Sequence, residues 1–240
     1  RYNPHAVSLS FFATYVDSLL AIQWVCFEKR ICTIDEFLAA VRNNWKGAEW
    51  IRAEVLKAPH WGDGRPETEA LARRVVDEFL EAMADIPNER GGHYQLGVWI
   101  YREIKSWGVL TPATPDGRHD GDELSQSLCP SHFRNDAALT TVLRSLASID
   151  LTRLAGNSVT NICIERKQVS SDTIESILRT FARLNLQLLQ LNCLDSNELE
   201  EARKHPEKYQ HLIVRICGFS AKFVSLCPEW QQEVIDRHKY

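Results

Sequence analysis

His205-Pro206-Glu207-Lys208-Tyr209-Gln210-His211-Leu212-Ile213-Val214-Arg215-Ile216-Cys217-Gly218-Phe219-Ser220-Ala221-Lys222-Phe223-Val224-Ser225-Leu226 is the stretch on which the reading of this chain turns. Its centre, 211–216, has the branched composition of a β-strand. The strand runs into Gly218, which lacks a β-carbon and so reaches backbone conformations closed to other residues. Taken by itself, such a glycine reads as the supplier of a positive-φ turn. Downstream, Pro228 is suited to the first turn of a final helix, with Trp230, Val234 and Ile235 facing inward.

Working back from this stretch, helices and strands alternate. Segments 136–149, 171–184 and 197–205 suit helices, and in the second of these Ile174, Ile177, Leu178 and Phe181 share one face. Segments 158–165 and 186–194 read as strands. Helices set between strands predict an α/β layer architecture. The first third is helical: 9–28 carries Phe12, Tyr15, Leu19, Ile22 and Val25 at helical spacing. Thr33-Ile34-Asp35-Glu36 is a capping box that opens a helix containing Phe37, Leu38 and Val41, worth about 1 kcal/mol. Pro66 begins another helix reaching Met83, with Glu67 and Glu69 at its positive end. Glycines and prolines crowd 89–130, which predicts loops and short extended pieces containing Tyr94, Val98, Trp99, Ile100 and Tyr101. The chain therefore divides into a mainly helical 1–90, a loop layer over 91–135 and an alternating 136–240.

Composition narrows the function classes. Of 240 residues, 44% are apolar and 25% charged, as in an ordinary globular protein. A net charge of −4 without a long basic run gives no nucleic-acid or anionic-membrane surface. The apolar run at 19–27 is too short for a bilayer, which takes about 20 residues. The seven cysteines are odd in number and form no CxxC pair, which favours free thiols in a reducing compartment, the cytoplasm. The chain opens on Arg1 and its one methionine is Met83, so a fragment, a processed chain or a trimmed form is expected.

The quoted stretch, with Gln231-Gln232-Glu233-Val234-Ile235-Asp236-Arg237 after it, closely resembles the C-terminal signature of the pyruvate formate-lyase-like glycyl radical enzymes. That signature has an Arg-Val-x-Gly-Tyr-Ser/Ala core, a following Phe and Leu, then Gln and a closing Ile-x-x-Arg. The core here is Arg215-Ile216-Cys217-Gly218-Phe219-Ser220, with isoleucine for valine and phenylalanine for tyrosine. Further matches keep the same order along the chain: Asp17-Ser18-Leu19, 43–49, Pro59-His60-Trp61-Gly62 and Ala113-Thr114-Pro115-Asp116-Gly117-Arg118. One departure is Gly62-Asp63-Gly64-Arg65, which replaces a Gly-Asn-Asp-Asp run.

The resemblance implies that Gly218 holds a stored radical, on a loop supported by Arg215, Phe219, Ser220 and Phe223. An α-carbon radical is stabilised when the amide nitrogen donates and the carbonyl withdraws electron density, which requires a nearly planar centre. A β-carbon would clash on flattening, so glycine is suited to the task. Residues 212–216 would deliver the loop, and Ala221 and Phe223 would pack its far side. The family's glycine loses hydrogen to a separate radical S-adenosylmethionine activase carrying an iron–sulfur cluster. The glycyl radical then takes hydrogen from a cysteine thiol on a facing loop, and the thiyl radical attacks the substrate. No other cofactor is bound, and dioxygen cuts the chain at the glycyl centre, which implies an anaerobic setting.

Also by resemblance, the complete enzyme is a ten-stranded barrel of two antiparallel half-barrels wrapped by helices, and a homodimer. This chain would supply later strands, outer helix over 1–90 and the glycine radical region over 136–240. The thiyl cysteine would come from an upstream portion or a partner chain, in a Cys-x-Glu loop for eliminating members. Cys26-Phe27-Glu28 matches that pattern but falls on an amphipathic helix, where a buried structural thiol is the plainer reading. Cys217 adjoins Gly218, yet neighbouring side chains on extended backbone point to opposite faces.

Cys129-Pro130-Ser131-His132 has ligand-like spacing without a second pair to complete a zinc site. Asp116, Asp120, Asp122 and Glu123 read as a solvated acidic surface. The seven tryptophans read as core or interface anchors. The wording around 215–226 favours the dehydratase and C–heteroatom lyase branch acting on a small polar substrate. Two other readings stay open: a separate glycyl-radical subunit or repair module completing a cysteine-bearing partner, and a catalytically silent scaffold domain.

Overall fold

The protein is described here from a computed structural model covering residues 3–100, 104–134, 137–216 and 219–236. The chain divides into two compact units, 1–158 and 159–240.

In the first unit, β1 (His5–Ser8) leads into α1 (Phe12–Ile22), which widens into a π-helical turn over Gln23–Glu28. Then come α2 (Ile34–Arg42), α3 (Glu49–Val55), α4 (Pro66–Met83), β2 (Tyr94–Gly97), α5 (Ile104–Leu110) and α6 (Leu139–Ala147). β1 and β2 pair in parallel, His5 opposite Tyr94 and Ser8 opposite Gly97. The capping box forms as its sequence predicts: Glu36 N–H donates to Thr33 Oγ1 at 3.3 Å, and Thr33 N–H donates to Glu36 Oε2 at 2.8 Å. Pro66 opens α4, with Glu67 and Glu69 in its first turn.

The first helical run is offset from its expected face. α1 starts only after Phe11, which takes a left-handed conformation, and it buries Phe12, Ala13, Val16, Asp17, Leu20 and Ala21. Tyr15 is left exposed, edge-on to Phe79. α5 forms inside the segment expected to be loops and short extended pieces. Its Gly108 is buried so close to Asp122 that a methyl group there would overlap the Asp122 carbonyl oxygen.

In the second unit, β3 (Val159–Glu165) passes through α7 (Ser171–Arg183) to β4 (Leu188–Leu194). The two strands pair in parallel over their full length, Val159 opposite Leu188 and Glu165 opposite Leu194. Parallel neighbours need such a crossover, and a helix supplies it. On α7, Ile177 and Phe181 are buried, whereas Leu178 is turned outward. α8 (Ser196–Lys204) is capped by Asp195, which accepts from Asn197 N–H at 2.8 Å. The chain ends in an antiparallel pair, β5 (Ile213–Ile216) and β6 (Phe219–Lys222), followed by α9 (Pro228–Asp236).

The core of this unit gathers Cys163, Leu194, Leu199, Ala202, Leu212, Val214, Ile216, Phe223 and Val234. Among the described residues the sheets have two strands each, and no helix is long and apolar enough to cross a membrane. The described fold is α/β and rich in helix. Trp45 and Trp61 are fully buried, while Trp50 and Trp107 are mostly exposed.

Candidate functional site

β5 and β6 meet with Ile216 opposite Phe219 and Arg215 opposite Ser220. Gly218 and Cys217, which lie between Ile216 and Phe219 in sequence, fall outside the described residues, as does Arg237. Of the four residues expected to support the glycine, Arg215, Phe219 and Ser220 lie on this strand pair, and Phe223 follows directly after it. Arg215 Nη1 donates to Ser220 Oγ at 3.3 Å, across the strand pair. The Phe219 ring lies beside Trp230 of α9, with centroids 6.1 Å apart. Phe223, just after β6, is completely buried, and its N–H donates to the Leu212 carbonyl at 2.9 Å.

That last bond sets the phase of the ladder. In an antiparallel pair, hydrogen-bonded and non-hydrogen-bonded positions alternate. Leu212, Val214 and Ile216 thus share the bonded phase, and the peptide groups of Ile213 and Arg215 turn away from β6. The side chains alternate as well: Leu212, Val214 and Ile216 are buried, and Ile213 and Arg215 are exposed.

Amide side chains meet the backbone that β5 and β6 leave unpaired. Arg215 N–H donates to Asn192 Oδ1 at 2.9 Å, and Gln190 Nε2 donates to the Arg215 carbonyl at 3.3 Å. Gln231 Nε2 donates to the Phe223 carbonyl at 3.2 Å, tying α9 to the end of the hairpin. Sequence reasoning overlooked Gln190 and Asn192. Their signal was present as two amides two residues apart in an otherwise apolar strand, both buried on one face with Leu194.

A second polar construction lies in the first unit, around residues 113–118. Arg118 is fully buried, and its guanidinium donates to the carbonyls of Asp122 at 2.6 Å and Thr111 at 2.9 Å and to that of Pro112. Gly117 sits at φ +98°, a conformation that favours glycine, and its carbonyl accepts from Arg52 Nε at 2.7 Å. Trp45 Nε1 donates to the Arg118 carbonyl at 3.1 Å, and Arg134 Nη2 donates to that of Asp116 at 2.9 Å.

Asp17 of α1 is also completely buried, accepting from Trp61 N–H at 2.6 Å and Ser131 Oγ at 3.2 Å. Burial raises its carboxyl to about 8, against the opposing pull of Arg134 and the Trp61 N–H. Asp116 is likewise pushed up by burial. The solvated reading of the acidic cluster therefore fails at Asp116, which is completely buried and accepts from Thr114 Oγ1 at 2.5 Å, while Asp120 and Asp122 are exposed.

The remaining thiols and acids are placed as follows. Cys26 lies in the π-helical turn and, like Cys32, packs beside the core of Val25, Phe37 and Trp45. Burial raises both thiols, Cys32 to about 11, which keeps them protonated and poor as nucleophiles near neutral pH. His132 Nε2 lies 3.7 Å from Glu123 Oε2. Among the described residues, no three His, Cys, Asp or Glu side chains gather closely enough to hold a metal ion.

Comparison with known proteins bears on both units. Residues 1–103 match the family model Pyruvate formate lyase-like, and residues 124–224 match Glycine radical. The isethionate sulfite-lyase of Desulfovibrio desulfuricans is 31% identical over 99% of this chain, and the trans-4-hydroxy-L-proline dehydratase of Clostridioides difficile is 26% identical over 99%. In each case the chain spans 30% of the relative's length. Among solved structures, the glycerol-bound B12-independent glycerol dehydratase of Clostridium butyricum superimposes with a TM-score of 0.93 at 30% identity, covering 100% of this chain and 31% of that one. The two consecutive family matches and the close structural likeness agree with the motifs that run through the sequence: the chain belongs to the glycyl radical enzymes.

Proposed function

We propose that Gly218 stores the radical of an enzyme that eliminates water or another leaving group from a small polar substrate. A radical S-adenosylmethionine activase would remove one hydrogen atom from the Gly218 α-carbon. The glycyl radical would then take a hydrogen atom from a cysteine thiol, restoring the C–H bond and leaving a thiyl radical that attacks the substrate. This chain would supply later strands and outer helix of a ten-stranded barrel whose remaining parts carry that cysteine. The complete enzyme would be a cytoplasmic homodimer working without oxygen. Radical enzymes of this kind ask the protein for positioning and shielding more than for acid–base power.

The observation that carries this reading is the strand pair itself. Arg215, Phe219 and Ser220 sit on a short, internally bonded strand pair that flanks Gly218 in sequence, and Phe223 follows it directly. The elimination branch is supported by the relatives' names: a sulfite-lyase and a dehydratase each break a bond between carbon and a heteroatom.

The test is oxygen cleavage. The full polypeptide containing this chain is activated anaerobically, exposed to air and mapped by peptide mass spectrometry. Scission at Gly218, abolished by Gly218→Ala, is expected. An activated chain that stays whole in air, or is cut elsewhere, would contradict the assignment.

A further inference from the structure

We infer that Asn192 and Gln190 are positioning residues for the radical hairpin, acting through the Arg215 peptide group. The inference rests on Gly218 being the radical site. β4 and β5 lie in different two-stranded sheets, so no backbone ladder joins them. The outward-turned N–H and C=O of Arg215 are instead held by two side chains of β4, at 2.9 Å from Asn192 Oδ1 and 3.3 Å from Gln190 Nε2. These two bonds take up both the donor and the acceptor that Arg215 turns away from β6, and so constrain where β5 sits. Arg215 is three residues before Gly218, and β5 offers its other edge to β6. The clamp therefore fixes the strand that leads to the radical from the side opposite its hairpin partner.

Asn192 carries a feature that packing alone does not explain. The side chain is buried, its Oδ1 receives the Arg215 N–H, and its Nδ2 has no partner among the described residues. Only the acceptor half of the amide is used. Were the residue there to fill space, leucine would fit the site better, since a buried unsatisfied amide is destabilising. Aspartate keeps the acceptor and leucine deletes it, so the two substitutions rank in opposite orders under the two roles. Positioning favours aspartate over leucine, and simple filling of the core favours leucine over aspartate.

The experiment uses the full polypeptide, activated anaerobically, with glycyl radical spins counted by electron paramagnetic resonance and turnover of its substrate expressed per spin. A displaced reacting group costs turnover steeply, up to about a hundredfold for an ångström, so Asn192→Leu is expected to lower turnover per spin by about tenfold or more. Asn192→Asp is expected to recover most of that loss. Leucine matching wild type, or aspartate falling below leucine, would overturn the clamp. Should Asn192→Leu fail to give soluble protein, Gln190→Leu carries the same test through the Arg215 carbonyl, and unchanged turnover per spin there overturns it equally. Gly218→Ala is run alongside. A doublet surviving in that variant defeats the assignment of Gly218, whereas a doublet lost there together with an unaffected Asn192→Leu defeats the clamp alone.

Discussion

Asp17→Asn is expected to raise stability at neutral pH and to flatten its dependence on pH. Asp17 is completely buried, its oxygens accept from Trp61 N–H at 2.6 Å and Ser131 Oγ at 3.2 Å, and burial lifts its carboxyl from 3.8 to about 8. Between those two values the folded chain holds a proton that the unfolded chain has lost, so stability falls as pH rises. The stabilising contribution is complete below about pH 4 and gone above about pH 8. Each pH unit inside that window is worth about 1.4 kcal/mol, so the step from pH 5 to pH 7 costs wild type about 3 kcal/mol. Asparagine is neutral throughout and can keep both bonds, accepting from Trp61 and donating to Ser131. Guanidinium denaturation of wild type and variant at pH 5, 6, 7 and 8 reads the difference directly. The variant should gain on wild type at every step. A difference running the other way, with Asp17→Asn losing ground as pH rises, would mean an ionised Asp17 paired with Arg134 and would refute the reasoning.

Three further substitutions test the packing described above. Phe223→Ala empties a fully buried site in the core of the second unit and should cost about 3–5 kcal/mol, seen as a lower melting temperature. Gly108→Ala would force a methyl group into the Asp122 carbonyl, so it should destabilise despite alanine's higher helix propensity, and a melting point raised by the change would contradict the close approach. Thr33→Ala removes the capping bond to Glu36 N–H and should cost about 1 kcal/mol of stability in denaturant titration.

Much of the fold was legible because its local signals agreed with one another. The Thr33 capping box, Pro66 at the head of α4 and the β3–α7–β4 alternation appear where their residues predict them. β6 was not legible: Phe219-Ser220-Ala221-Lys222 has little strand propensity and becomes a strand by pairing with β5. α5 was hidden because Gly108 reads as a loop breaker, while its actual service is to let the Asp122 backbone approach. The family motif singled out Arg215, Phe219, Ser220 and Phe223, and the structure places them on β5 and β6 or directly after them. Gln190 and Asn192 were not, since an amide inside an apolar strand says nothing about which backbone group it will meet until β5 is placed beside it. Asp116 misled for a similar reason, because its neighbours Asp120 and Asp122 face water while Arg118 and the residue-113–118 turn draw it into the interior.

The most direct measurement is the electron paramagnetic resonance spectrum of the full polypeptide after anaerobic activation, with and without Gly218→Ala. A radical on a glycine α-carbon retains one hydrogen, which splits the signal into a doublet. A doublet in wild type that vanishes in Gly218→Ala is the predicted result. The same doublet persisting in the alanine variant would place the radical on another residue and contradict the account.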